Sequence, residues 1–364
     1  MKVVHINWSL AFGGIETMLV NIANAQVREG AEVTIIIIND LYDESIVKSF
    51  DDKVSLIFLH RKQHSHSFAF LFKLNRLLYR INPDAIHLHN SRFFEMIFSR
   101  KLRHKVSMTL HALPTGKIRN ERFFHRLFPI LSVSGNGGNV MFIDKIPKVF
   151  AISNAVKKTL WENYGVSSIV ICNGIRTAEF AMREMTPCSF PLRIAQVGRL
   201  EHGRKGQDLL IQAISRLKGK AEAYFIGDGE SWEYLKELAT KLGVENQVHF
   251  LGKQTQEYIA HHLCEFDLYV QPSRYEGFGL TVAEAMAAQV PVLVSSGQGP
   301  AEVTCGNKYG WLFENGNIDD LTDTIMYIHN HYNETLNKAK EARQHVILTY
   351  DVVVTAKKYL ENYK

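Results

Sequence analysis

The chain has 364 residues, of which 46% are hydrophobic and 22% charged, with 16 histidines and a formal net charge of +5. That balance excludes a disordered or fibrous polymer and is enough for two globular domains of ordinary size. Four dispersed cysteines, Cys172, Cys188, Cys264 and Cys305, form no CxxC pair, so neither a disulfide framework nor a cysteine zinc site is indicated and a reducing compartment is the simpler inference.

Residues 2–7 read as a buried strand running into Gly13-Gly14, with no signal-peptide pattern, and the longest aliphatic run, 35–38, is far too short to span a bilayer. A cytoplasmic protein is expected, with the inner face of the membrane as an added location. Residues 15–29 place Ile15, Met18, Leu19, Ile22, Ala23 and Val27 at helical spacing and stop at Gly30. The β-branched run 33–38 suits a parallel strand covered on both faces. Further strands are predicted at 54–59, 84–89, 106–111, 149–153 and 169–172, with helical patterns between most of them. The alternation predicts a doubly wound α/β domain.

Residues 176–191 break the rhythm and read as a linker. A second α/β series follows, with strands at 192–197, 221–226, 248–251, 267–270 and 290–295. Helices are predicted at 207–217, 232–242, 254–263, 281–288 and from 317. The expected domains are therefore 1–175 and 192–349, with two terminal helices at 333–348 and 352–362. The segment 350–364 is expected to complete the first domain. Two such domains imply a cleft, where ligands preferentially bind.

The stretch Tyr275-Glu276-Gly277-Phe278-Gly279-Leu280-Thr281-Val282-Ala283-Glu284 joins a strand to a helix through two glycines. Unpaired N–H groups and the positive end of the dipole make such a junction suit an anion. Glu276 and Glu284 flank it and accept from hydroxyls, so a ligand with sugars beside phosphates fits. The alternative is a capping box, Thr281-x-x-Glu284, in which Glu284 only ties down the helix end. Gly198-Arg199-Leu200 and Lys205-Gly206 follow the first strand of the second series, and Arg199 and Lys205 could meet one anion. A solvated basic loop, helped by Arg204, is the plain alternative. Gly227-Asp228-Gly229 reads as a tight turn without chemistry.

In the first domain, Gly13-Gly14-Ile15-Glu16 sits between the first strand and helix, and is either a plain turn or a point of close backbone approach to a diphosphate or sugar. His111 ends a strand and could face the crevice, although a structural role is the safer reading for any single histidine. Charge is uneven: residues 1–190 hold 24 basic and 15 acidic side chains, and residues 61–126 hold 14 and 3. Lys73, Arg76, Arg80, Arg100, Lys101, Arg103, Lys105, Lys117, Arg119, Arg122 and Arg126 interleave with Phe68, Phe70, Phe72, Phe93, Phe94, Phe98, Phe123, Phe124 and Phe128. An anionic membrane surface suits that mixture, nucleic acid is the competing polyanion, and the charged outer faces of ordinary amphipathic helices are the plain alternative. No nucleic acid partner is expected.

Taken in order, these motifs resemble the retaining glycosyltransferases of GT-B architecture, family 4 type, in which two Rossmann-like domains face each other across a cleft. The resemblance covers nearly the whole chain. It rests on the E-x7-E pair Glu276 and Glu284 within Ser273-Arg274-Tyr275-Glu276-Gly277-Phe278-Gly279, and on Val197-Gly198-Arg199-Leu200 with Lys205-Gly206. Gly13-Gly14-Ile15-Glu16, Phe150-Ala151-Ile152-Ser153, Cys172-Asn173-Gly174-Ile175 and Gly227-Asp228-Gly229 support it. The resemblance implies that Arg199 and Lys205 neutralise the donor diphosphate, that Glu284 holds the ribose and that Glu276 holds hydroxyls of the transferred sugar. Backbone N–H groups of Phe278, Gly279 and Leu280 would meet the phosphates, His111 would lie near the sugar, and Gly14 would face the diphosphate. The donor is expected to be a nucleoside diphosphate sugar, with UDP as the nucleotide, and the acceptor a saccharide or lipid-linked saccharide of cell-surface polysaccharide or lipopolysaccharide. The implied reaction is metal-independent, with no bound cofactor. Three departures touch the donor sugar: the interval from Arg199 to Lys205 is one residue longer than the commonest version, Arg176 stands where an acidic residue is usual, and Gly297-Gln298-Gly299-Pro300-Ala301-Glu302 is a looser form of the family loop. A nucleotide-sugar epimerase of the same architecture and a non-catalytic sugar-phosphate-binding protein remain the rival readings.

Overall fold

The computed structural model describes residues 1–11, 14–62, 65, 67–113 and 140–364. The chain divides into two compact units, residues 1–174 with 352–364, and residues 175–351.

Unit 1 has the strands β1 (Lys2–Asn7), β2 (Glu32–Asn39), β3 (Ser55–Arg61), β4 (Ala85–Leu88), β5 (Val106–Leu110), β6 (Lys148–Ala151) and β7 (Ile169–Val170). They form a parallel sheet in the order β3-β2-β1-β4-β5-β6-β7. Its helices are α1 (Gly14–Arg28), α2 (Glu44–Lys48), α3 (Ala69–Ile81), α4 (Phe93–Met96), α5 (Arg100–Arg103) and α6 (Asn154–Tyr164). Ile35 to Ile38 are fully buried, as a parallel strand covered on both faces requires. α6 starts where the Ser153 hydroxyl accepts from the Val156 N–H at 3.2 Å and stops at Gly165 in the left-handed conformation.

Unit 2 has β8 (Leu192–Val197), β9 (Ala221–Ile226), β10 (Val248–Gly252), β11 (Leu268–Gln271), β12 (Val292–Ser295) and β13 (Trp311–Phe313). Their order is β10-β9-β8-β11-β12-β13, and every pairing is parallel. The helices are α7 (His202–Lys205), α8 (Gln207–Arg216), α9 (Trp232–Lys241), α10 (Gln256–His262), α11 (Leu280–Ala287), α12 (Gly299–Val303), α13 (Ile318–Asn330) and α14 (Tyr332–Tyr350). Strand β13 and the short α7 and α12 carry too few residues to show a period, and the sequence reading did not find them. Residues 176–191, read as a linker, are fastened along unit 2. The Arg183 N–H donates to the Ala288 carbonyl at 2.8 Å, and its guanidinium to Asp267 at 2.6 Å.

The last helix, α15 (Val352–Asn362), belongs to unit 1. Val352, Ala356, Tyr359 and Tyr363 share a core with Met18, Leu19, Ile22 and Ala25 of α1. Burial of each large side chain there contributes about 1.5–3 kcal/mol. No helix among the described residues is long and apolar enough to cross a membrane.

Candidate active site

In unit 2 the chain lays β9 and β10 on one side of β8, then places β11 to β13 on the other. The reversal between β8 and β11 is a topological switch point, and ligands of open α/β sheets bind outside the strand carboxyl ends there. Residues 198–206 follow β8 and residues 272–279 follow β11, so Gly198, Arg199, Lys205, Glu276, Phe278 and Gly279 lie at this one edge.

The two loops are fastened together. The Arg204 carbonyl accepts from the N–H groups of Arg274 (2.8 Å) and Tyr275 (3.3 Å). The Arg274 guanidinium forks onto both oxygens of Asp208 at 2.8 Å each and also reaches the His202 carbonyl at 2.8 Å. Asp208 is buried in the first turn of α8, and it pushes the Arg274 guanidinium above its ordinary value. Gly206 has φ +69°, and a Cβ there would lie 2.0 Å from the Pro272 carbonyl oxygen, so the close approach of the loops requires glycine. Arg274 and Asp208 were not singled out from the sequence. Arg274 stands inside the motif, but its partner lies 66 residues away.

Within this frame the Lys205 ammonium forms an ion pair with the Glu276 carboxylate. The two side chains are only 20% and 17% exposed. Lys205 and Glu276 therefore offer a ligand a cation and an acceptor side by side. Arg199 is exposed at the loop tip. Its carbonyl accepts from Gln207 Nε2 at 2.9 Å, which fixes the backbone while leaving the guanidinium outside. The Gly198 N–H donates to the Ile226 carbonyl at 2.9 Å. The Gly227 turn now has a physical reason: a Cβ at Gly227 would lie 2.0 Å from the Gly198 carbonyl oxygen.

Gly279, at φ +99°, precedes α11. No carbonyl among the described residues accepts from the N–H groups of Phe278, Gly279 or Leu280. These donors stand at the positive end of the helix dipole. The Phe278 ring itself is buried, edge-on to Tyr350 at 5.5 Å. The start of α11 is anchored from below. The Tyr269 hydroxyl lies 2.6 Å from Gln271 Oε1 and 2.7 Å from Thr281 Oγ1, and Gln271 Nε2 donates to Ser273 Oγ at 2.6 Å. Thr281 thus bonds inward and makes no cap, which overturns the capping-box alternative. Glu284 instead accepts from Gln256 Nε2 at 2.7 Å and is 7% exposed. Burial pushes its pKa from 4.5 up to about 7, against the opposing pull of Gln256 and Arg176. Near neutrality the group can donate or accept a hydroxyl proton.

In unit 1 the strand order reverses between β1 and β4. Gly14 opens α1 just after β1 and is exposed, with nothing within 4 Å of where a Cβ would stand. Gly13 of the same motif, together with Lys117, Arg119, Arg122, Arg126, Phe123, Phe124 and Phe128, lies outside the described residues. His111 sits one residue beyond β5, and its Nε2 lies 3.0 Å from His89 Nδ1. Burial lowers its pKa to about 4, so the ring is neutral near pH 7.

Comparison with known proteins agrees with this layout. Residues 12–179 match the family model "Glycosyltransferase Family 4", and residues 190–345 match "Glycosyl transferases group 1". The lipopolysaccharide core biosynthesis glycosyltransferase LpsE of Rhizobium meliloti is 26% identical over 90% of this chain and 88% of its own. Lipopolysaccharide 1,6-galactosyltransferase of Salmonella typhimurium is 24% identical over 88% of each chain. The crystal structure of Anabaena Alr3699/HepE in complex with UDP and glucose superposes with a TM-score of 0.79, at 20% identity, over 100% of this chain and 99% of that one. With a Family 4 domain followed by a group 1 domain, each on its own parallel sheet, the chain is a glycosyltransferase of GT-B fold.

Proposed function

We propose that the enzyme transfers a sugar, with retention at the anomeric carbon, from a nucleoside diphosphate donor to a saccharide or lipid-linked saccharide acceptor. UDP is the nucleotide we assign, and cell-surface polysaccharide or lipopolysaccharide assembly the setting. The observation that carries this reading is the grouping of Lys205, Glu276, Arg199 and the free N–H groups of Phe278, Gly279 and Leu280 at the unit 2 switch point. Their chemistry suits a ligand that has phosphates and hydroxyls in adjacent positions.

In the reaction the bond between the sugar's anomeric carbon and the phosphate oxygen breaks, the acceptor hydroxyl oxygen bonds to that carbon on the same face, and its proton passes to the departing diphosphate oxygen. Charge builds on the departing diphosphate. Arg199, Lys205 and the first N–H groups of α11 neutralise it, which is the main catalytic contribution and does the work a metal ion would otherwise do. Glu284 takes the ribose hydroxyls and Glu276 those of the transferred sugar. His111 and Gly14 are assigned a hydroxyl of that sugar and the diphosphate respectively. Retention is tested by proton NMR of the product: an anomeric configuration matching the donor, with nucleoside diphosphate released only when acceptor is added, supports the proposal. An inverted product, or conversion of the donor alone, contradicts it.

We also assign the cytoplasmic membrane face as the place of action. On α3, Phe72 and Tyr79 are 70% and 83% exposed beside Lys73, Arg76 and Arg80. Phe98, 54% exposed, meets Phe72 edge-on at 6.0 Å, next to a recess lined by Phe94, Arg100, Arg103, His104 and Lys145. Aromatic rings among cations suit an anionic bilayer surface. Sedimentation with anionic vesicles but not with neutral ones supports this, and equal partitioning contradicts it.

A further inference from the structure

Behind His111, the parallel register of unit 1 lines up polar side chains that the reaction scheme does not use. His87 and His89 on β4 and its exit share a face with Thr109 and His111 on β5 and its exit, by the two-residue period of a strand. β1 supplies His5, paired in register with His87. α1, α15 and the residue that follows it lay Gln26, Tyr359 and Tyr363 on the same group. The result is a continuous chain of contacts. Gln26 Oε1 lies 2.8 Å from His5 Nε2, His5 Nδ1 lies 3.2 Å from His89 Nε2, and His89 Nδ1 lies 3.0 Å from His111 Nε2. The near-parallel rings meet edge to edge, with centroids 5.4 Å apart for His5 and His89 and 5.2 Å for His89 and His111.

A neutral imidazole has one donor nitrogen and one acceptor nitrogen. Burial holds all four rings in that form, with His5 and His111 lowered to about 4 and His87 and His89 held well below their ordinary value. Each contact therefore dictates the next. The Gln26 carbonyl oxygen can only accept, so His5 carries its proton on Nε2. His5 Nδ1 must accept from His89 Nε2, and His89 Nδ1 from His111 Nε2. His111 Nδ1 is left with a lone pair and no hydrogen-bond partner among the described residues.

A second branch agrees with that orientation of the Gln26 amide. Its Nε2 donates to the Tyr363 hydroxyl at 3.2 Å, and the hydroxyl, with its own proton to give, lies within hydrogen-bond reach of His87 Nδ1. His87 then donates from Nε2 to Thr109 Oγ1 at 2.8 Å.

We propose that Gln26 is a positioning residue that, through His5 and His89, sets the tautomer of His111 so that Nδ1 presents a lone pair to a ligand hydroxyl. The ligand half of this statement rests on the proposed function; the tautomer half does not. Both halves are read from the full chain. Long-range proton–nitrogen NMR of protein labelled at the histidine ring nitrogens should show His5, His87, His89 and His111 neutral and protonated at Nε2. In Gln26→Glu, whose carboxylate can only accept, His111 should keep that pattern. In Gln26→Leu the single pattern of His111 should be lost to a mixture of tautomers. Protonation of His111 at Nδ1 in the natural sequence, or a His111 pattern unchanged in Gln26→Leu, overturns the proposal. Should the tautomers appear as stated while His111→Ala transfers sugar at the normal rate, the relay stands and the role of His111 in the reaction fails.

Discussion

Lys205, the last residue of the short α7 that follows β8, and Glu276, on the loop that leaves β11, stand on opposite sides of the unit 2 switch point, and their side chains form a direct ion pair. In a pair this largely shielded, the cost of desolvating both charges offsets most of their attraction, so its net contribution to stability is small. Its value is chemical, because it keeps a cation and an acceptor in register before any ligand arrives.

Lys205→Ala should therefore reduce sugar transfer by roughly a hundredfold or more while the melting temperature moves by only a few degrees. Glu276→Gln should lower transfer but leave nucleotide affinity nearly intact, since it is assigned to the sugar. Steady-state kinetics beside calorimetric melting distinguishes these effects from simple unfolding.

Gly206→Ala should cost about 2 kcal/mol or more, because its left-handed backbone and the Pro272 carbonyl leave no room for a Cβ. Arg274→Lys should weaken the same junction by about 1–3 kcal/mol, since an ammonium cannot fork onto Asp208. Denaturant unfolding followed in unit 2 checks both.

Glu284 gives unit 2 a pH signature. Its pKa is 4.5 in the ordinary state and about 7 when folded. Below pH 4.5 the group is protonated in folded and unfolded chains alike, and its environment suits it. Between pH 4.5 and about 7 the unfolded chain ionises while the fold disfavours a desolvated carboxylate, so roughly 3 kcal/mol is lost over that window and the loss is complete as pH rises through 7. Glu284→Gln should abolish this loss, visible as a flatter stability profile between pH 4.5 and 8.

Unit 1 should respond in the opposite direction. Its buried histidines are depressed below 6.5, so their contribution is complete above that pH and falls away as pH drops toward 4. Hydrogen exchange should show amides of β1, β4 and β5 losing protection between pH 6.5 and 4. Equal protection across that range contradicts the neutral-ring account.

Much of this was legible in the sequence wherever the signal is local. The run 33–38 announced a buried parallel strand, and Gly277-Phe278-Gly279 announced a strand-to-helix turn. Long-range partnerships were not legible. Lys205 and Glu276 are 71 positions apart, Arg274 and Asp208 are 66 apart, and Gln26 meets Tyr363 across 337. Thr281 and Glu284 fit a capping pattern locally, yet packing under β11 and against α10 turned both to other partners. His87 and His89 showed the strand period, but only the sheet order brings His5 and His111 into line with them.

The most direct test of the account is calorimetric titration of UDP into the natural protein, Arg199→Ala and Lys205→Ala. Saturable binding by the natural protein, weakened at least about tenfold (~1.4 kcal/mol) in each variant, is the predicted result. Equal affinity in all three proteins, or no binding of UDP to any of them beside tight binding of another nucleotide, contradicts the assignment of the switch-point cations to a uridine diphosphate.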